Sequence, residues 1–522
     1  MTTTSTTQTT VLPTGIPFTP IGDIVRDIAY RQPDHLALID EHETLTYAQL
    51  DEMMNRIAAA LQRDGVKPGQ AVAICGYNSV PYAAVFLGIL RAGAVAAPLA
   101  PSSTAQALAA MLRDCAAPIL FVDKGSEDLV PTGAGAPHCV SLDGQARGHD
   151  MEEWMAPEDS KPAPVNITPA DAFNIIYSSG TTGTPKGIVQ SYGMRWGHMQ
   201  RNRSGTYSPD AVTLLATPLY SNTTLVVFFP TIANGGCVVL MSKFDALRYL
   251  QLAEKHRVTH TMLVPVQYQR LMALPQFGDF DLTSFIAKFC TSAPFGAALK
   301  ADILKRWPGG LTEFYGMTEG GGSCVLEAHL YPDKLHTVGK PAPTTDIRLI
   351  DENGNEVPVG EAGEVVGHSG SMMTNYHNQP GKTREAEWYD STGKRFIRTG
   401  DVGRFDADGF LTLFDRRKDM VISGGFNIYP SDLEAQIRQH PAVADVAVVG
   451  VPSQQWGETP IAYVVVRAGD TTSPQEIKDW YNQRAGKTQR VADLLLVEEL
   501  PRSAIGKVLK RQLRDSYTGK VA

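Results

Sequence analysis

The sequence predicts an α/β protein: a large N-terminal domain of two helix-covered, mostly parallel sheets plus a small β subdomain, joined by a hinge to a small α+β C-terminal domain. Three observations carry this expectation. Between about residues 20 and 413, amphipathic helical stretches alternate with short apolar runs, the pattern of parallel strands covered by helices. After about residue 340, short strands separated by turn residues mark a small, largely antiparallel β unit. From about residue 420, helix-start signals interleave with apolar strands over roughly 100 residues, enough for a domain of its own.

The elements follow in order. The opening "MTTTSTTQTTVLPTG" has neither the basic start nor the apolar stretch of a secretory signal, and residues 1–15 read as a disordered tail. "TYAQLDEMMNRIAAALQRDG" has helical spacing and ends at Gly65, a suitable residue just past a helix end; "QAVAICG" follows as a strand. "YAAVFLGILRAGAVAAPLA" is a helix followed by a strand, because Arg91 and the prolines interrupt it well short of the ~20 apolar residues of a membrane span. "FNIIYSSG" is a strand running into a loop, and "DALRYLQLAEKHRV" with "HTMLVP" is a helix and a buried strand. "IRLIDENGNEVPVGEAGEVVGHSG" belongs to the antiparallel unit. In the last domain Ser431 with Glu434, and Ser473 with Pro474 and Glu476, predict two capping boxes, and between and after these helices come the strands "VADVAVVGV", "IAYVVVRAG" and "LLLVEEL".

Composition narrows the function. A net charge of −8 leaves no basic excess for nucleic acid, so no nucleic-acid partner and no membrane span are expected. Six scattered cysteines, without a C-x-x-C pair, read as reduced thiols of a cytoplasmic protein.

One stretch stands out chemically. "YSSGTTGTPKG" (177–187) packs glycines, hydroxyls and Lys186 into a loop able to converge N–H donors and a cation on a phosphate. It is not a Walker loop, since Pro185 precedes Lys186 and Gly187 follows it. Taken alone, it is equally a solvated polar turn.

Together with "YGMTEGG", "IRTGD", "DRRKDM" and "PRSAIGKVLKR", in this order and approximate spacing, the loop resembles the acyl-adenylate-forming (AMP-binding) superfamily, in particular its stand-alone acyl-CoA synthetases and aryl-CoA ligases of the 4-coumarate-CoA ligase type. The resemblance spans about residues 20 to 515. It implies an AMP-forming carboxylate–CoA ligase that uses ATP, Mg²⁺ and coenzyme A. It further implies an adenylation domain at 16–415, holding the ATP and carboxylate sites, and a mobile domain at 416–522 with a hinge near Lys418.

The resemblance also implies residue roles. Ser178, Ser179, Thr181, Thr182 and Lys186 would grip the β,γ-phosphates. Tyr315 would stack on adenine beside Gly316, Thr318 would contact phosphate, and Glu319 would orient Mg²⁺. Asp401 and Arg416 would hold the ribose, a carboxylate being able to accept from both hydroxyls. Lys507 would be the catalytic lysine at the reacting oxygens, and Gly424 and Gly425 would flank the CoA tunnel.

The acyl pocket would draw on Tyr220, Ser221, Asn222, Thr223, Thr291, Ser292, Gly320 and Gly321. Ser221 stands where many members have histidine, and Thr291 where many have glycine. No aspartate is present in "PLYSNTT" to meet an amino acid's ammonium group, and neither that segment nor "TSAPFGA" offers a cation for a second carboxylate. Glycines 320–322 are expected to leave space or flexibility beside the carboxylate. A monocarboxylic acid is therefore expected, aromatic or arylpropenoic ahead of medium-chain fatty acid.

Two alternatives stay open. One is an adenylation enzyme loading a separate carrier protein, although no carrier segment follows "GKVLKRQLRDSYTGKVA". The other is a non-catalytic nucleotide-binding regulator, although Lys507, Glu319 and the phosphate loop are all intact. The implied partners are the small carboxylic acid and CoA, a lysine acetyltransferase/deacetylase pair acting on Lys507, and a second copy of the chain in a homodimer.

Overall fold

The computed structural model describes residues 17–133, 135–178, 186–200, 207–416, 419–423, 426–486, 489–503 and 506–519. The expected tail at 1–15 lies outside them. Two compact units partition the chain: residues 1–335 with 342–346 and 367–397, and residues 336–341 with 347–366 and 398–522.

The first unit contains two sheets. Its strands are β1 (Leu36–Ile39), β2 (Thr44–Thr46), β3 (Ala71–Cys75), β4 (Val95–Leu99), β5 (Ile119–Val122), β6 (His138–Ser141), β7 (His149–Asp150), β8 (Ala172–Ser178), β9 (Lys186–Ser191), β10 (Val212–Leu215), β11 (Cys237–Leu240), β12 (His260–Leu263), β13 (Ala287–Cys290), β14 (Gly310–Tyr315) and β15 (Cys324–Glu327). One sheet runs β9-β8-β4-β3-β5-β6-β7, with the short strand Asn375–Tyr376 beyond β9. The other runs β15-β14-β13-β12-β10-β11-β1-β2. The interior strands pair in parallel, while β9, β15 and β2 are antiparallel additions.

Helices Tyr47–Arg63, Val80–Arg91 and Asn222–Ala233 share one apolar core with both sheets. Leu50, Ile57, Phe86 and Phe229 from the helices bury with Ile74 of β3 and Leu215 of β10. Phe229 meets Phe86 and Phe173 edge-on at 5.7 and 4.9 Å. This apolar filling explains why the helix from Val80 is apolar all round. The helix Tyr47–Arg63 starts from a complete Thr46–Gln49 capping box, a signal the sequence reading passed over.

A buried ion pair braces the second sheet. Lys300, on the helix Ala297–Arg306, contacts the Glu313 carboxylate on β14 and donates to Leu335 O at 2.8 Å. Burial pushes the Glu313 carboxyl up to about 7 against the pull of Lys300. The pair thereby joins the helix that follows "TSAPFGA" to the strand that delivers "YGMTE".

The second unit holds the strand segments 347–350, 363–366 and 398–405, neighbours in one sheet, the last paired antiparallel with Leu411–Arg416. It also holds an α+β layer. There the strands run in the order Phe426–Ile428, Val421–Ser423, Gly457–Val466, Val443–Ser453, and Asp493–Leu496 pairs in parallel with Gly457–Val466. Helices Pro430–Ile437 and Pro474–Asn482 cover one face through Leu433, Ile437, Ile477 and Tyr481.

Of the two predicted capping boxes, the second is present: Glu476 N–H donates to Ser473 Oγ at 3.3 Å, and Ser473 N–H donates to Glu476 Oε2 at 2.8 Å. The first is not. The helix begins at Pro430 after Tyr429, and Glu434 is used elsewhere, accepting from Val448 N–H at 2.8 Å and pairing with Lys510 at 2.9 Å. Tertiary donors outcompete the local cap there.

Candidate active site

Open parallel sheets present ligand sites at the carboxyl ends of their strands. The segments singled out by sequence follow β10, β13 and β14, which lie close together in one sheet, and bridge β8 to β9 in the other. The strands that bracket "YSSGTTGTPKG", β8 and β9, are antiparallel, and Ser178 lies opposite Lys186. Ser179, Thr181, Thr182 and the Ser178 side chain lie outside the described residues.

Lys186 is described, and its surroundings involve a residue the sequence reading missed. Its ammonium sits 5.1 Å from the ring centroid of Tyr376. The hydroxyl of the same tyrosine donates to Glu319 Oε1 at 2.8 Å. Burial, reinforced by the Glu319 charge, pushes the Tyr376 phenol well above its ordinary range, so it stays a donor. Nothing in "TNYHN" marks this tyrosine locally. It arrives because Asn375–Tyr376 pairs with β9, placing Tyr376 opposite Ile188.

The "YGMTEGG" segment is held from two sides. Behind it, Gln190 donates from Nε2 to Thr318 O at 2.7 Å and to Asn222 Oδ1 at 3.4 Å. Gln190 and Asn174 are in turn engaged by the fully buried Arg195, which donates twice to Asn174 Oδ1 at 3.2 Å and also to Gln190 Oε1. Burial lowers the Arg195 guanidinium to about 9. In front, the backbone of 371–373 packs against the glycines, and Met373 N–H donates to Glu319 O at 2.7 Å.

Gly320 and Gly321 have φ of +72° and +93°. A Cβ at Gly320 would collide with Ser371 O, and one at Gly321 would lie 2.8 Å from Gly367 O. Their missing side chains therefore accommodate left-handed backbone and a neighbouring chain segment, where the sequence reading expected space or flexibility.

Among the residues expected to form the acyl pocket, burial raises the Tyr220 phenol, with Ser102 pulling it back. Ser221 caps the helix Asn222–Ala233, accepting from Thr223 N–H at 3.3 Å. Thr223 and Ser292 share a 2.6 Å hydroxyl contact, and Thr291 donates to Phe314 O at 2.7 Å. Ser292 holds a φ of +82°, a region costly for any residue with a side chain. Tyr315 closes β14 opposite Cys324, with Gly316 next to it.

In the second unit, Asp401 lies opposite Arg416 across the hairpin ladder, and Asp401 N–H donates to Thr399 Oγ1 at 3.0 Å. Lys507 is exposed. Its loop is tied by Arg502, which donates to Gly506 O at 2.7 Å and pairs with Asp445 at 2.6 Å; Gly506 has a φ of +76°. Lys418, Gly424, Gly425 and the Arg416 side chain lie outside the described residues. Among the described residues, no group of three or more His, Cys, Asp or Glu side chains is arranged to hold a metal ion. No described helix is long and apolar enough to cross a membrane.

Comparison with known proteins completes the picture. Residues 25–377 match the AMP-binding enzyme family, and residues 432–507 match the AMP-binding enzyme C-terminal domain. A feruloyl-CoA synthase from Amycolatopsis sp is 34% identical over 483 residues, covering 91% of this chain and 94% of that protein. The fatty acid–[acyl-carrier-protein] ligase ScoC of Streptomyces coeruleorubidus is 30% identical over 506 residues, with 95% and 96% covered. The crystal structure of ATP-bound MatB from Rhodopseudomonas palustris superposes with a TM-score of 0.84 at 28% identity, over 96% of this chain and 99% of that one. The ordered sequence motifs, the lysine and glutamate that meet on Tyr376, and matches to both domain types over most of the chain lead to one conclusion: this protein belongs to the AMP-binding enzyme family.

Proposed function

We infer that the protein is an AMP-forming carboxylate–CoA ligase, and that its acid is an aromatic or arylpropenoic monocarboxylate. The observation that carries the ligase reading is the convergence of Lys186 and Glu319 on one ring, a cation and a carboxylate held close to each other, the cation at the start of β9 just after the Gly/Ser/Thr stretch. The acid class rests on the feruloyl-CoA synthase relative and on the neutral hydroxyl and amide groups of Asn222, Thr223, Thr291 and Ser292.

In the first half-reaction a carboxylate oxygen attacks the α-phosphorus of ATP. An acyl–O–P bond forms, the α,β-phosphoanhydride breaks, and pyrophosphate leaves. In the second, the CoA sulfur attacks the acyl carbon after losing its proton, the thioester forms, and the C–O bond breaks to release AMP.

We assign the roles as follows. The hydroxyls of Ser178, Ser179, Thr181 and Thr182, with Lys186, hold the β,γ-phosphates. Tyr315 stacks on adenine beside Gly316, Thr318 contacts phosphate, and Asp401 with Arg416 holds the ribose. Lys507 supplies positive charge where the carboxylate and α-phosphate oxygens react. Lys418 serves as the pivot between functional divisions 16–415 and 416–522, and Gly424 and Gly425 line the CoA path.

Glu319 is a single hard oxygen donor beside a phosphate-binding lysine, which fits Mg²⁺, an ion that takes one or two carboxylates and otherwise phosphate oxygens and water. When bound, the ion neutralises triphosphate charge. The cytosol is the proposed compartment, with Lys507 acetylation as a switch that would remove the charge the reaction needs. A homodimer is the proposed assembly.

The test incubates the full chain with ATP, Mg²⁺ and a panel of cinnamic, benzoic and short- to long-chain fatty acids, with and without CoA, and detects acyl-AMP and acyl-CoA by mass spectrometry. Aryl-CoA formation is expected. A second reading, acyl transfer to a carrier protein, draws on the ScoC relative; acyl-AMP that forms but never reaches CoA would establish that reading instead.

A further inference from the structure

We propose that Tyr376 is a positioning residue for the nucleotide site, holding Lys186 and Glu319 in place while keeping these opposite charges from pairing with each other. The inference rests on the ligase reading above. Lys186 and Ile188 lie two residues apart on β9 and so face the same side, and Tyr376 is registered directly opposite Ile188. Lys186 is thus its diagonal cross-strand neighbour, a separation that a ring and a long side chain span. The ammonium accordingly rests 5.1 Å from the ring centroid. From the edge of the same ring, the hydroxyl donates to Glu319 Oε1 at 2.8 Å.

Tyr376 is itself immobilised. It is 4% exposed, and its N–H donates to Thr383 Oγ1 at 3.0 Å. His377 N–H donates to Gly187 O at 2.7 Å on the following residue. No ion pair within 4.0 Å joins Lys186 to Glu319 among the described residues. The consequence is chemical. A direct Lys186–Glu319 pair would spend both charges on each other, whereas the intervening ring leaves the ammonium available to phosphate oxygens. The hydroxyl occupies one carboxylate oxygen and thereby sets the direction of the other.

The ring and the hydroxyl are separable. Tyr376→Phe retains the ring and removes the hydrogen bond; Tyr376→Leu removes both. ATP binding to the full chain is measured by calorimetry across a Mg²⁺ titration, without acid or CoA, alongside thermal melting. For Tyr376→Phe the Mg²⁺ concentration giving half-maximal ATP affinity is expected to rise about threefold to tenfold, with metal-free ATP binding unchanged. For Tyr376→Leu, metal-free ATP binding is expected to weaken as well, by about tenfold.

Tyr376→Phe with the parent's Mg²⁺ dependence would overturn the proposal. So would losses in both variants that track the unfolded fraction alone. A parent chain that binds no ATP overturns the ligase reading and this inference with it; a parent that binds while Tyr376→Phe is unaltered overturns this inference only.

Discussion

The proposed nucleotide side and the proposed acyl side of the first unit are built from different materials. On the nucleotide side, charged groups from distant segments are interlocked: Lys186 and Glu319 meet through Tyr376, and the backbone of 371–373 closes on Gly320. On the acyl side, neutral groups pair with each other or with backbone, as in Thr223 with Ser292 and Thr291 with Phe314 O. Phosphate recognition requires charge and converging donors, which restricts residue type. Recognition of an apolar acid depends on shape and a few hydrogen bonds, for which many residue types serve. Removing a charge should therefore cost more than removing a hydroxyl.

The largest expected effect tests that claim at the reacting oxygens. Lys507→Ala should slow adenylation by about 10²- to 10³-fold, the range seen when one transition-state donor is lost. Thioester formation from supplied acyl-AMP should survive, and equal loss of both half-reactions, followed separately, would remove Lys507 from the role assigned to it.

The next largest concerns the scaffold both sides share. Lys300→Met strands the buried Glu313 carboxylate and should destabilise the first unit by about 3–5 kcal/mol, read as a lower urea midpoint. The double variant Lys300→Met with Glu313→Leu should recover most of that loss, because a buried ion pair exchanged whole for apolar groups is often near neutral.

Smaller effects belong to the acyl side. Thr223→Val and Ser292→Ala should each raise KM for the acid while leaving KM for ATP unchanged. A double-mutant cycle should give a coupling of about 0.5–3 kcal/mol, as expected of groups in contact. Independence of the two would mean that the 2.6 Å hydroxyl contact does not shape the pocket. The smallest effect isolates backbone strain. Ser292→Gly should be more stable than Ser292→Ala by about 1 kcal/mol, since both lose the hydroxyl and only glycine relieves the φ of +82°. Equal melting temperatures would show that the surrounding loop absorbs the strain.

Much of this molecule was legible before its structure. The alternation of helix and strand placed the helix Tyr47–Arg63 and strands β3, β4, β8 and β12, because 3.6-residue and 2-residue periodicities and buried apolar runs are written into short windows. The Ser473–Glu476 box formed for the same reason, its two partners being three residues apart. The ordered motifs likewise announced the family, since phosphate chemistry admits few residue sets.

Tertiary structure decided the rest. Ser431 and Glu434 carry the same local signal as Ser473 and Glu476, yet Glu434 is claimed by Val448 and Lys510. The glycines after Glu319 read as space or flexibility, whereas the backbone of Ser371 packs against Gly320. Tyr376 had no signal of its own, because its partners at 186 and 319 are reached only when an edge strand docks on β9. Local preferences are set within a few residues of chain, whereas the partner of a side chain is set by which distant backbone packs beside it. That packing alone brings one ring between a lysine and a glutamate and turns two separate motifs into one site.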